Sequence, residues 1–441
     1  MEYYKYIPGL LIGLIVFTQP LIGDYAFAAL VFALMLTFFA LKRREASSFQ
    51  RPFNISISLF LLILLRIVLG WNGYTLDFYV IGVSVSIITI AVVLTEIEMQ
   101  SKMGGRSGSS ALSLLGLDGG AEPIFLYLFN ATLVAGITSW VLSENQLRPE
   151  SILFLGVIGS LTAALLMVIP HRENDYTGIV GTTMSIWLFA SIGYAPSIET
   201  IIAAIALSLL ISYVAYKKEM ADVSAMITAA LLGMLIIVFT DLRWFLALVL
   251  FFAVGSGFTR YRYDFKASMG VGEEKSGVRG YRNVFSNALP AASLAVAHHA
   301  IPVHSEVILV AYLASLATAL ADTLASEIGQ TSKSAPLMIT TLRRTRPGTD
   351  GGVTLLGEAA ALGGALLLAV FALVIGLVPL HPLYISLITV GGVFGANLDS
   401  LFGATLQQRG ILTNNGVNLA STAAAAVFVS LLYVMAPTSL I

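Results

Sequence analysis

Residues 304–329 read HSEVILVAYLASLATALADTLASEIG. Val307 to Ala321 carry no charge, the composition of a helix that faces hydrocarbon, and Asp322, Thr323, Ser326 and Glu327 then fall at the end of the same helix. Insertion scales put a carboxylate at a helix centre at about 3 kcal/mol, so Asp322 needs a partner or a task. The rest of the chain has the same solvent: of 441 residues 57% are hydrophobic and 11% charged, and the mean hydropathy is +0.87. The sequence is therefore read as an all-α, polytopic membrane helix bundle.

Apolar runs of about 17 to 22 residues predict about 15 transmembrane helices between residues 6 and 436. The first two, 6–22 and 25–41, lead the bundle, and the first is read as a retained helix because it has no basic leader or small-residue cleavage site. Lys42-Arg43-Arg44 through Arg51 form a dense basic cluster, which the positive-inside rule places in the cytoplasm together with the N-terminus. Counting spans forward puts the polar loops 98–123, 171–176, 216–222, 259–283, 326–352 and 403–416 on that face. A net charge of −1 gives no basic bias towards nucleic acid. The absence of cysteine excludes disulfides, thiol catalysis and thiolate metal sites, and five scattered histidines lack ligand spacing.

The chain also resembles itself. Residues 149–165, PESILFLGVIGSLTAAL, align with 304–320; Phe129-Asn130-Ala131 aligns with Ser286-Asn287-Ala288, and Lys102-Met103-Gly104 with 266–270. A spacing held near ~155 to 165 residues is the mark of a duplication. Two six-helix copies then run parallel in the membrane, because six is even. Leading helices occupy 1–45, a degenerate repeat 46–216, and a second repeat with a C-terminal helix 217–441. Opposite Asp322, Ser326 and Glu327 the first copy has Met167, His171 and Arg172, so the working site is expected in the second.

Three stretches there carry possible chemistry. Residues 260–287 hold Arg260, Arg262, Lys266, Arg279 and Arg282 ahead of a helix containing Asn287, a donor set suited to phosphate; the competing reading is a plain positive-inside loop. In 326–352, Arg343 and Arg344 precede Gly348, Asp350, Gly351 and Gly352, where glycines let the backbone approach an anion and Asp350 could hold Mg²⁺. This is not a Walker loop, since Gly-Lys-Ser/Thr is missing, and a basic surface loop is the alternative. Residues 391–418 contain Asn397, Asp399, Ser400, Gln407, Asn415 and Asn418, and Asp399-Ser400-Leu401 echoes Asp322-Thr323-Leu324. Two such acidic helix ends suggest a carboxylate pair holding Mg²⁺ beside a basic rim for phosphates; interhelical glue is the alternative.

The segments RGYRNVFSN (279–287), ALADTLASEIG (319–329), RPGTDGGVTLLGE (346–358), LDSLFGATLQ (398–407) and TNNGVN (413–418) together resemble the membrane family of the plastid phytyl-phosphate kinase of tocopherol synthesis and transmembrane protein 19. The resemblance covers about residues 216–436. Asp350 stands where a glutamate is more usual, and Glu358 where a small or hydroxyl residue is commoner. The resemblance implies phosphoryl transfer from a nucleoside triphosphate, CTP or ATP, to an isoprenyl monophosphate of phytyl or geranylgeranyl type. Asp322 and Asp399 would be Mg²⁺ ligands with Glu327 as a third acidic group, and Arg279, Arg282, Arg343 and Arg344 would clamp phosphates. Asn287 and Asn415 would orient them, with Lys266, Ser326, Asp350, Gly351, Gly352, Ser400, Gln407 and Asn418 completing the site. The expected partners are membrane lipid and the isoprenyl substrate, without nucleic acid. A secondary transporter of phosphorylated lipids or small anions is the competing class, since duplicated bundles with intramembrane carboxylates serve transport as well.

Overall fold

A computed structural model of the chain describes residues 7–102, 120–169, 174–268 and 277–436. Met103, Gly104, His171 and Arg172 lie outside these residues. The described residues are predominantly helical: α1 (Ile7–Ile15), α2 (Gln19–Arg44), α3 (Ala46–Trp71), α4 (Phe78–Ser86), α5 (Val92–Lys102), α6 (Glu122–Leu142), α7 (Pro149–Val168), α8 (Asn174–Ile192) and α9 (Ile198–Lys217) come first. They are followed by α10 (Val223–Phe239), α11 (Leu242–Arg260), the short α12 (Tyr263–Ser268), α13 (Tyr281–Ala300), α14 (Ser305–Gly329), α15 (Leu355–Val374), α16 (Pro382–Phe402) and α17 (Asn414–Met435). A two-stranded antiparallel ribbon, β1 (Leu337–Met338) and β2 (Gly352–Val353), interrupts the α14–α15 connection.

Among the described residues, 11 helices are long and apolar enough to cross a membrane. The shortfall from the expected number has identifiable causes. The first two expected spans form one continuous helical stretch, Ile7–Arg44, interrupted where Gly23 adopts φ 75°. Val223–Phe239 is apolar but has 17 residues, while the expected spans 177–193 and 284–300 are helices outside the eleven. Polar residues such as Asn283, Ser286, Asn287, His298 and His299 lower the apolarity of α13.

Chain contacts define two units, Met1–Ala203 and Ala204–Ile441, with the division inside α9 and earlier than residue 216. In the first unit α2 lies on α3, and α6, α7 and α8 pack in sequence. Two polar pairs cross between its helices: Asn130 Nδ2 donates to Thr95 Oγ1 at 3.2 Å, and Arg51 meets Asp175 at 3.1 Å.

In the second unit α14 is the central helix, touching α11, α13, α15, α16 and α17. It is central because its neighbours present glycine and alanine to it. A methyl added at Gly395 would sit 2.2 Å from Thr318 Oγ1, and one at Gly392 would sit 2.7 Å from Ala365 Cβ and 2.9 Å from Ala317 Cβ. At the far end, a Cβ on Gly357 would lie 2.9 Å from the Ala325 carbonyl oxygen and 3.5 Å from Gly329 Cα. Small residues at these crossings let backbones approach closely, which in lipid replaces the hydrophobic driving force available in water.

Candidate active site

The ends of the helices around α14 enclose a polar cavity of about 280 Å³. Asp322 and Ser326 enter it from α14, Asn283 and Asn287 from α13, Asp399 and Ser400 from α16, and Asn414 and Asn418 from α17. Segment 347–354 and Glu358 of α15 complete the wall. Three helix N-terminal turns therefore meet here, those of α13, α15 and α17, and their helix dipoles give the cavity a partial positive character. Thr354 caps α15 by accepting from Gly357 N at 3.0 Å, and Thr413 caps α17 by accepting from Gly416 N at 3.2 Å.

Each acidic group has a distinct setting. Asp322 lies within electrostatic reach of Asp399 and Glu327. Asp399 Oδ2 accepts from Ser421 Oγ at 2.8 Å, and with its amide oriented to satisfy both neighbours Asn418 donates to the same oxygen at 3.2 Å and to the Asn414 carbonyl at 3.1 Å. Glu358 accepts from Asn397 Nδ2 at 3.0 Å. Glu327 lines the cavity and is ion-paired with Lys266, whose ammonium also donates to the Thr259 carbonyl at 2.8 Å.

Arg279 is the cationic wall. Its main chain is held against the α9–α10 connection, with Arg279 N donating to the Met220 carbonyl at 3.1 Å and Asp222 N donating to the Arg279 carbonyl at 2.9 Å. Its guanidinium lies 5.6 and 5.3 Å from the rings of Phe251 and Phe252 and passes over Gly255, where a Cβ would be 3.0 Å from a terminal nitrogen. A buried, aromatic-flanked guanidinium keeps its charge and its planar fork, a geometry suited to phosphate.

Of the residues expected from sequence, Asp322, Asp399, Glu327, Arg279, Asn287, Ser326, Asp350, Gly351, Gly352, Ser400, Gln407 and Asn418 line this one cavity. Lys266, Arg282, Arg343, Arg344 and Asn415 do not. Lys266 is 1% exposed because α12 folds it back onto Glu327. Arg282 is exposed and donates to Tyr281 Oη at 3.0 Å. Arg343 and Arg344 are exposed on the ribbon, where Arg344 bridges Leu337. At the α17 terminus the neighbouring Asn414 takes the lining position. Asn283, Thr323, Thr354 and Asn414 are lining residues to which the sequence reading gave no role in the site; the N-cap signal of a threonine before an apolar run was available for Thr354.

Segment 347–353 is fixed to α16. Gly351 has φ 81°, and a Cβ there would be 2.7 Å from the Ser400 carbonyl oxygen and 2.4 Å from Ala404 Cβ. Gln408 Nε2 donates to the Asp350 carbonyl at 2.9 Å, and Gly403–Gln407 opens a wider, π-type turn that receives the segment. Gly351→Ala is expected to cost roughly 1–3 kcal/mol locally from the left-handed backbone alone. Faster proteolysis within 340–352, with the helical bundle still folded, would register it.

The buried Lys266–Glu327 pair gives a second test. Lys266→Met removes the cation paired with the buried Glu327 carboxylate and is expected to destabilise the fold by about 3–5 kcal/mol, whereas the double change Lys266→Met, Glu327→Leu recovers most of it. Thermal unfolding of the two single variants and the double variant in detergent reads this cycle.

The donor set fits a hard divalent cation shared with a substrate. Mg²⁺ is commonly held by one or two carboxylates and the phosphates it accompanies. Asp322 and Asp399 provide two, among amide and hydroxyl oxygens. Among the described residues no group of three or more His, Cys, Asp or Glu forms a cage that would hold such an ion without phosphate.

A family model described as "Integral membrane protein DUF92" matches residues 206–426, which contain every group placed in the cavity above. The chain belongs to the DUF92 family. The DUF92 relatives include the uncharacterised membrane protein sll0875 of Synechocystis sp., 37% identical over 205 residues, covering 45% of this chain and 78% of the relative. The uncharacterised membrane protein MJ0933 of Methanocaldococcus jannaschii is 30% identical over 226 residues, covering 49% and 87%. The chloroplastic protein VTE6 of Arabidopsis thaliana is 26% identical over 168 residues, covering 37% of this chain and 50% of VTE6. DUF92 membership agrees with the resemblance drawn from the five sequence segments, that to the family of phytyl-phosphate kinase and transmembrane protein 19. No solved structure matches the chain.

Proposed function

We propose that this DUF92 protein is a Mg²⁺-dependent isoprenyl-phosphate kinase, transferring the terminal phosphoryl group of CTP or ATP to an isoprenyl monophosphate of phytyl or geranylgeranyl type. The observation that carries the reading is the gathering of Asp322, Asp399, Arg279 and Asn287 around one polar cavity at the helix ends. The kinship with VTE6 supports it. In the reaction the bond between the donor's terminal phosphorus and its bridging oxygen breaks, the nucleoside diphosphate leaves with the electron pair, and an oxygen of the acceptor phosphate bonds to that phosphorus. A phosphate monoester, with a second pKa near ~6, is already ionised at neutral pH, so no side chain has to remove a proton. The protein's work is to position the two anions and offset their charge. Arg279 and the three helix N-termini meet the phosphates, while Asn287 and Asn418 orient groups at the rim. Asp322 and Asp399 would hold Mg²⁺, which when bound neutralises charge on the transferring group.

The basic cluster at residues 42–51 supports a cytoplasmic placement of this face, where nucleotide is available. In this proposal the duplicated first copy serves as scaffold. The test is purified protein in detergent with Mg²⁺, labelled CTP or ATP, and phytyl or geranylgeranyl monophosphate. Labelled isoprenyl diphosphate is expected. No diphosphate with any donor and tail, together with uptake of a phosphorylated lipid or small anion into proteoliposomes, would replace the kinase by a transporter.

A further inference from the structure

A second cavity lies beside the first and has the opposite character. It runs between α9, α10, α11 and α13, walled by Ile211, Ala225, Ala229, Leu248, Phe252 and Ala288. Arg279 and Asn283 line both cavities, so the polar space and the apolar one meet at a single guanidinium and a single amide. Alanines rather than larger side chains keep the space open. Its floor, at Ser208 and Leu232, is seven residues along each helix from Ala215 and Ala225, a depth of roughly 10 Å at 1.5 Å per residue. Ser208 Oγ is buried there and makes no hydrogen bond within the protein.

We infer that this groove holds the phosphate-proximal part of the acceptor's hydrocarbon tail, with the acceptor phosphate at Arg279 and Asn283. The inference rests on the kinase reading for the identity of the acceptor. An anionic head joined to an apolar chain is the one shape that satisfies both cavities at once: the head meets the cationic junction, and the chain covers Phe252, Leu248 and Ala229 in place of lipid. A fully extended geranylgeranyl backbone is roughly twice the groove's depth, taking about 3.6 Å for every three bonds. With a volume of about 50 Å³ the groove takes only the start of the tail, and the remainder of the chain lies in the bilayer.

The test uses a long-chain alkyl monophosphate carrying a diazirine within its first few carbons, photolysed with the full-length protein and mapped by mass spectrometry. Labelling is expected on the groove-lining residues of α9, α10 and α11, with geranylgeranyl monophosphate displacing the probe. Ala229 is only partly buried, so Ala229→Phe fills the groove at small cost to the fold. It is expected to raise the acceptor KM and lower labelling by at least about tenfold, the scale of a side chain's exclusion from an apolar site, while the donor KM is unchanged. Labelling spread over lipid-facing positions such as Leu210 and Val214, or an Ala229→Phe protein that labels and turns over like the parent, overturns the groove. If that variant does not fold, the labelling map of the parent protein decides alone. Labelling of the groove without diphosphate formation leaves the groove standing and removes the kinase; diphosphate formation without groove labelling does the reverse.

Discussion

On the kinase reading, Asp322→Asn is expected to reduce diphosphate formation by roughly 1,000-fold, equivalent to about 4 kcal/mol of transition-state stabilisation, with the melting temperature in detergent unchanged or raised. The two halves of this result have one cause. Asn keeps the size and most of the hydrogen-bonding capacity of Asp but not its charge, so it cannot offset the cation that accompanies the phosphates. Asp322 is a buried carboxylate within electrostatic reach of Asp399 and Glu327, so its charged form is disfavoured by burial and by their charges. Removing that charge relieves this cost, and the fold loses nothing it depends on. A purely structural Asp322 would give the opposite pattern, a fall in melting temperature with activity lost only in proportion to unfolded protein. Steady-state kinetics and thermal unfolding on the same preparation separate the two.

Arg279→Ala is expected to give the second large effect, a loss of at least about 100-fold in kcat/KM for the proposed acceptor, the scale of removing one preorganised charge donor. Arg279→Lys recovers only part of it. Lysine supplies a point charge but no planar fork, and it stacks less well on Phe251 and Phe252. The fold should survive both changes, because the main-chain bonds to Met220 and Asp222 do not involve the side chain. A control is available in Arg282, three residues away on the first turn of α13: it is exposed and outside the cavity, so Arg282→Ala should alter turnover by less than about threefold.

Much of the architecture was legible because hydrocarbon as solvent leaves strong marks. Runs such as 223–240 or 417–436 announce helices, and the break at Gly23 falls between the first two expected spans. The convergence of Asp322 and Asp399 could be read from their matching positions at polar helix ends. What could not be read was the fate of cations within loops. Lys266 sits in a basic stretch and has the composition of a surface lysine, yet one short helix turns it inward to Glu327. Arg343 and Arg344 looked equivalent to Arg279. The difference is that Arg279 is anchored to the α9–α10 connection beside the cavity, whereas the ribbon carries the other two into solvent. Such distinctions depend on contacts between residues distant in sequence, and local spacing does not encode them.

The glycine crossings along α14 have a bearing on how the protein lives in different membranes. Where Gly329 meets Gly357 and Gly392 meets Ala317 and Ala365, no flexible side chain intervenes to absorb sliding. A bundle meets a thinner or thicker bilayer by tilting. Here α14, α15 and α16 would tilt as a single body, carrying Asp322, Thr354 and Asp399 together. Turnover should then track bilayer thickness far less steeply than it does in bundles whose active groups sit on independently packed helices.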